Sequence, residues 1–236
     1  MSTPAGVSAA VHLEIPGFAA LSEQGHWDAC AVVAEADALH VCGWNGVKLE
    51  SNTIDAWRWQ YVQQRNPIRW TQGAGTTLGN IMWHLAYMHA DHIAGYIPYS
   101  GQPNMDQLHN FVKAQSLKQN PIIIEVSNAQ ALPHAEQGVH YHFVTLGGID
   151  STLGYLVANG DTLDALRGPA GAIVPTYWAT WSTLALAGIC GAIALDRGYA
   201  VPTPPPPPPP GDSSPDLHAL AGDVLTALQK LTAALP

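Results

Sequence analysis

Gln24-Gly25-His26-Trp27-Asp28-Ala29-Cys30 and, far along the chain, His142-Phe143-Val144-Thr145-Leu146-Gly147-Gly148-Ile149-Asp150 are the stretches from which the fold is read. After the first, Val32, Val33, Ala36 and Leu39 recur at helical spacing. Asp28 is placed to cap the first turn, so a helix is expected over Asp28 to His40 with Cys30 at its start. A helix N-terminus carries partial positive charge and unpaired N–H groups, which favour a thiolate there and offer donors to an oxyanion. A thiolate that attacks a carbonyl also needs a base, a group to orient that base, and donors for the developing charge. His142, Asn159 and Gln24 supply an imidazole, an amide acceptor and an amide donor. Cys42 lies past the helix end and Cys190 lies in an apolar stretch, so neither shares the setting of Cys30.

The 236 residues suffice for one substantial domain and an appendage. Nine basic against eighteen acidic residues give a net charge of −9 with no basic cluster, which excludes a nucleic-acid footprint. Three scattered cysteines make neither a disulfide framework nor a CxxC metal site. No Lys or Arg precedes Lys48, so the basic region of a secretory signal is missing and no signal peptide is expected, with the location left open. The uncharged run from Tyr177 to Leu195 is long enough to cross a bilayer. Its Ala, Gly, Ser and Thr content divides it instead into a short helix, Trp181 to Ala187, and a buried strand, Gly191 to Leu195, so no membrane span is expected.

Further helical patterns cover Thr77 to Ala94, with Leu78, Ile81, Met82, Leu85 and Met88 on one stripe, and Asp106 to Lys118, through Leu108, Phe111, Val112 and Gln115. Both are expected to pack around the first helix. Strands are expected at Pro121 to Val126, His142 to Leu146 and Gly154 to Ala158, besides Gly191 to Leu195. A helical first half followed by an antiparallel strand half reads as α+β, a domain over residues 1–200. Residues 201–213, with an unbroken proline run from Pro204 to Pro210, form an extended spacer. In residues 214–236, Leu217, Ala221, Val224, Leu228, Leu231 and Leu235 alternate four and three apart, a heptad seam suited to self-association or docking on an assembly.

Gln24 six residues before a helix-start Cys30, followed by a strand that opens on His142 and runs through apolar residues to Gly147-Gly148, resembles the papain-like cysteine peptidases. The closest likeness is to the branch that includes bacteriocin-leader peptidases and the peptidase domains of phage lysins. Pro121 to Val126 resembles the strand before the histidine hairpin in that branch, and Tyr155-Leu156-Val157-Ala158-Asn159-Gly160-Asp161 resembles the strand after it. The likeness spans about residues 20 to 198. It implies a papain-like α+β fold with the nucleophile at a helix N-terminus packed on an antiparallel sheet, and an endopeptidase acting on bacterial peptidoglycan. It further implies Cys30 as nucleophile, His142 as base, Asn159 as orienter and Gln24 as oxyanion donor, with no cofactor. A lysin of this kind is cytoplasmic until released, or is carried on a virion. His140 stands two residues from His142 and faces the same way on a strand, and Asp161 competes with Asn159, so both alternatives stay open. A leader-processing peptidase, and an inactive module of the same fold that joins partners through its C-terminal helix, are the other functions implied.

His84, His89, Asp91 and His92 crowd one region, but five residues separate His84 from His89, which turns them to different sides of a helix, so no metal site is expected. Gly73-Ala74-Gly75-Thr76-Thr77 lacks the Lys-Ser/Thr ending of a phosphate loop and reads as a helix entry. Trp44, Trp57, Trp59, Trp70 and Trp83 receive no role.

Overall fold

The computed structural model describes residues 10–18, 30–43, 76–89, 93–133, 140–159 and 176–198. Gln24, Asp28, Asp161, the glycines at 73 and 75, Trp44, Trp57, Trp59, Trp70, the side chain of Trp83, the proline spacer and the heptad segment lie outside them. In chain order the elements are β1 (His12–Glu14), α1 (Cys30–Val41), α2 (Leu78–His89), β2 (Ile93–Ile97), α3 (Met105–Leu117), β3 (Ile122–Val126), a 3-10 turn (Ala129–Ala131), β4 (His142–Asp150), β5 (Gly154–Ala158), β6 (Tyr177–Ala179), α4 (Trp181–Leu186) and β7 (Ile189–Leu195). The architecture is α+β around one antiparallel sheet, ordered β2-β7-β3-β4-β5-β6, with β1 also paired to β4.

Strand alternation divides the core into two layers. Ile123, Phe143, Ile193 and Leu195 face α1 and α2. Ile122, Ile124, Val126, Val144, Leu146 and Val157 face α3 and α4 through Leu108, Val112 and Leu184. All five residues of β3 are buried, because helices cover both sides of the strand and leave no wet face. That is why Ile122-Ile123-Ile124 reads as a continuous apolar run instead of an alternating one.

α1 is buried from Cys30 through Leu39, Glu35 and Asp37 included, so the stripe of Val32, Val33, Ala36 and Leu39 is only part of its contact surface. Ala31, Ala34 and Ala38 keep its walls low, and at Ala34 the backbone carbonyl accepts a hydrogen bond from the Thr145 hydroxyl of β4 at 2.7 Å. α3 starts where Asn104 Oδ1 accepts from the Gln107 amide at 3.0 Å, and α4 where Thr180 Oγ1 accepts from the Thr183 amide at 3.2 Å.

Several expectations are corrected. The helical pattern carried to Ala94 ends by His89, and Ile93–Ile97 is a strand paired with β7. Gly95 allows that approach, since a Cβ there would lie 2.7 Å from the Phe111 ring. Strands β1 and β2 come from the half expected to be purely helical; β1 is too short to show a period. The helix expected to pack around α1 over Asp106 to Lys118 covers the opposite face of the sheet. β4 continues through Gly147-Gly148 to Asp150, with a register shift beside β5 between Leu146 and Gly148. The apolar run from Tyr177 becomes β6, α4 and β7, and among the described residues no helix is long and apolar enough to cross a membrane.

Gly148 marks the closest approach of β1 to β4: a Cβ there would sit 2.7 Å from the Leu13 carbonyl oxygen and 3.3 Å from Glu14 Cα. Backbone cannot swing aside as a side-chain tip can. Gly148→Ala is therefore expected to destabilise the fold by about 1–3 kcal/mol, read as a lower urea midpoint with unchanged slope.

Candidate functional site

Thr145 stands opposite Ala158 in the β4–β5 ladder, so the end of β5 returns beside the beginning of β4. His142 is the first residue of β4 and Asn159 directly follows β5. Their side chains meet, with His142 Nε2 2.7 Å from Asn159 Oδ1. Both are buried, at 1% and 0% exposure. An amide oxygen only accepts, so Nε2 carries the proton and Nδ1 holds the free lone pair. Burial pushes the His142 pKa down to about 4, against the opposing pull of the Asn159 bond, and the ring is neutral at pH 7.

Tyr177 of β6 adds a member that the sequence reading passed over. It stands opposite Val157, two residues before Asn159, and its hydroxyl lies close enough to the Asn159 side chain to interact with it, while burial pushes its pKa up. The signal was faint, because a three-residue edge strand has too few positions to show its alternation.

Cys30 opens α1, 9% exposed, with no acidic side chain in the first turn to oppose a thiolate. It belongs to the same apolar cluster as Phe143, the neighbour of His142. α1 contacts β4 on the Phe143 and Thr145 side, whereas alternation puts His142 on the side of Val144. Among the described residues the hydrogen bond of the His142 ring is the one to Asn159, and none joins it to Cys30. The other thiols are poor nucleophiles. Burial, with Asp196 nearby, pushes Cys42 up to about 12, and burial raises Cys190, whose thiol also donates to the Gly188 carbonyl at 3.1 Å.

His140 is exposed and lies before β4, and its carbonyl accepts from the Ala129 amide at 2.9 Å. Only its neighbour His142 is paired with Asn159. His84 is committed elsewhere: its Nδ1 lies 2.8 Å from Glu35 Oε1 inside the α1–α2 contact, both side chains fully buried. Among the described residues no three His, Cys, Asp or Glu side chains gather as metal ligands. At the sheet end where β4 begins stand the exposed Tyr99 and Tyr141, close enough to raise the Tyr99 pKa, near the buried Glu125. Glu125 Oε2 accepts from the Leu78 amide at the start of α2, and burial pushes its pKa up to about 7. No family model matches this chain, and a search of curated proteins finds no match.

His142 and Glu125 impose opposite pH dependences. The His142 value lies below its unfolded one near 6.5, so the stability that goes with its neutral ring is present above pH 6.5 and lost as pH falls towards 4. The Glu125 value lies above its unfolded one near 4.5, so its contribution is present below pH 4.5 and lost as pH rises through 7. Each is worth roughly 3 kcal/mol in full, so they largely offset in the wild-type chain. In urea unfolding from pH 4.5 to 7, Glu125→Gln is expected to make stability rise more steeply with pH. His142→Gln is expected to tilt the profile the other way, and parallel profiles would contradict both assignments.

Proposed function

We propose that the protein is a cysteine peptidase of papain-like architecture whose substrate is the peptide portion of bacterial peptidoglycan. The observation that carries the reading is the buried His142–Asn159 pair at 2.7 Å, at the end of the strand against which the Cys30 helix packs. A neutral imidazole with Nε2–H held by an amide oxygen presents Nδ1 as a base, the state a thiol needs in order to be deprotonated. In the proposed reaction Nδ1 takes the Cys30 proton as sulfur attacks the peptide carbonyl. The first N–H groups of α1 and the Gln24 side chain hold the oxyanion, and the imidazolium, steadied by Asn159, then protonates the leaving amine. Water, activated by the same Nδ1, hydrolyses the thioester. Because His142 titrates low, its imidazole rests neutral and takes up a proton only as attack proceeds.

The thiol and ring belong to opposite sides of β4, so the proposed proton transfer requires them to meet around the strand end; Cys30 and His142 are each the first residue of their element. The peptidoglycan assignment rests on the resemblance to phage lysin peptidases, as does a virion or host-cell setting. Residues 214–236 act in this reading as a docking or self-association helix at the end of a proline spacer. A second reading, a binding module that keeps the fold without the chemistry, is favoured by the 1% exposure of His142 and by the single hydrogen bond of its ring among the described residues.

The two readings separate cleanly in assays. With muropeptides and a double-glycine leader peptide as substrates, the peptidase is expected to cleave the muropeptide, and Cys30→Ala to lower turnover by roughly 10⁴-fold or more with the melting temperature retained. Asn159→Ala should lose less. Iodoacetamide should modify Cys30 faster than Cys42 or Cys190 at pH 7. Cleavage of the leader alone reassigns the substrate, and an unreactive Cys30 with no turnover leaves the binding module.

A further inference from the structure

On the face of the sheet that α1 and α2 cover, Glu125 of β3 stands two residues along from Ile123 and opposite Gly191 of β7. A Cβ at Gly191 would lie 2.6 Å from Leu78 Cδ2 and 2.9 Å from the Ile97 carbonyl oxygen, so the bare glycine lets the first turn of α2 come down beside the carboxyl. There Glu125 Oε2 accepts from the Leu78 amide at 3.3 Å. Oε1 makes no hydrogen bond among the described residues and is not fully enclosed, so it reaches solvent although Glu125 is only 5% exposed. No described cation answers it. Lys113 and Lys118 belong to α3 and its C-terminal cap, on the other face of the sheet, and Arg197 lies beyond the far end of β7.

Phenols stand around this carboxyl. Tyr96 of β2 pairs with Ile193 and so shares its face, and Tyr99 follows where the Ser100 amide donates to the Cys190 carbonyl at 2.8 Å. Tyr141 comes just before β4, whose first residue pairs with Val126 at the same end of β3. The three tyrosines are 37%, 47% and 62% exposed. Burial and then the Glu125 charge raise the Tyr96 pKa; the nearby Tyr141 and, more weakly, Glu125 raise that of Tyr99. Cys190 is raised by burial first and by Glu125 as well, so at pH 7 all these neighbours are neutral. One negative charge is therefore rimmed by uncharged hydroxyls and aromatic faces. Such a rim repels anions, and a single carboxylate is too few for a metal ion, since no three ligating side chains gather among the described residues. A primary ammonium fits it, with a charge for Oε1, N–H donors for phenol oxygens and a cation for the ring faces.

We propose that Glu125, with Tyr99 and Tyr141 beside it, holds a primary ammonium group of a peptide, the carboxylate pairing with its charge and the phenols lying against it. The site deepens the peptidase reading and rests on it only for the identity of that peptide as substrate, because α1, which Cys30 opens, covers the same face of the sheet. A lysine-type side chain and a peptide N-terminus carry the same ammonium chemistry. Full-length protein at about pH 7.5 is titrated with acetyl-lysine methylamide, with alanine methylamide and with acetyl-norleucine methylamide, and the Leu78 amide NMR signal is followed. An amine is expected to give a saturable shift with Kd on the order of 1–10 mM, and the norleucine compound none; the amine that binds identifies the source. Protonation of Glu125 removes the charge, so affinity should fall by at least about tenfold between pH 7.5 and pH 5. Glu125→Gln should weaken binding about tenfold and abolish that pH dependence. The exposed pair Tyr99→Leu and Tyr141→Leu should weaken it about threefold at unchanged Tm. Cys30→Ala should bind the amine as the wild type does, so failure of the peptidase reading and failure of the ammonium site are separate results. Absence of a shift with both amines, equal binding of the norleucine compound, pH-independent affinity, or wild-type affinity in Glu125→Gln would each overturn the proposal.

Discussion

The pairing of Thr145 with Ala158 is the constraint from which both core and candidate site follow. It brings the residue after β5 back to the residue that opens β4, which is how Asn159 reaches His142 across seventeen positions of sequence. The same strand position ties down α1, because Thr145 Oγ1 bonds the Ala34 carbonyl. A slip of one residue would invert every side chain of the strand, exposing Val144 and Leu146 to the α1 layer and turning Phe143 towards α3. Apolar burial on both faces therefore holds the register, and the register holds the site.

Much of this was legible because buried strands and helix starts have local signatures. Ile122-Ile123-Ile124 announced a strand covered on both sides, and His142 followed by apolar residues announced β4. The Cys30 helix was visible from its apolar spacing, although Glu35 and Asp37 concealed how completely it is buried. Those two acidic residues look like a solvated face in sequence, yet Glu35 is matched inside by His84 on α2, a partner forty-nine residues away that no periodicity reveals.

What the sequence left hidden depends on long-range pairing. β1 and β6 are three-residue edges with too little length for alternation, and both contribute: β1 forces Gly148, and β6 brings Tyr177 to Asn159. β2 was absorbed into a helical pattern because Ile93 and Ala94 extend a plausible stripe. Only its pairing with β7, eased by Gly95 against Phe111, makes it a strand. The ring cluster of His109, Tyr155 and Trp181 was likewise unreadable, since the three residues come from three separate elements.

Burial also sets the chemistry of the sheet end. It holds His142 neutral and Glu125 protonated at mildly acidic pH, so two titrating groups sit on β3 and β4 with opposed effects on stability. In the proposed reaction such a base, with a value near 4, is weak at rest and must be drawn out by the Cys30 thiol. Ring-nitrogen NMR of His142 in the wild-type chain and in Cys30→Ser tests that coupling most directly. The account predicts that the His142 titration midpoint and Nδ1 shift move when sulfur is replaced by oxygen; superimposable titrations in the two proteins would contradict it.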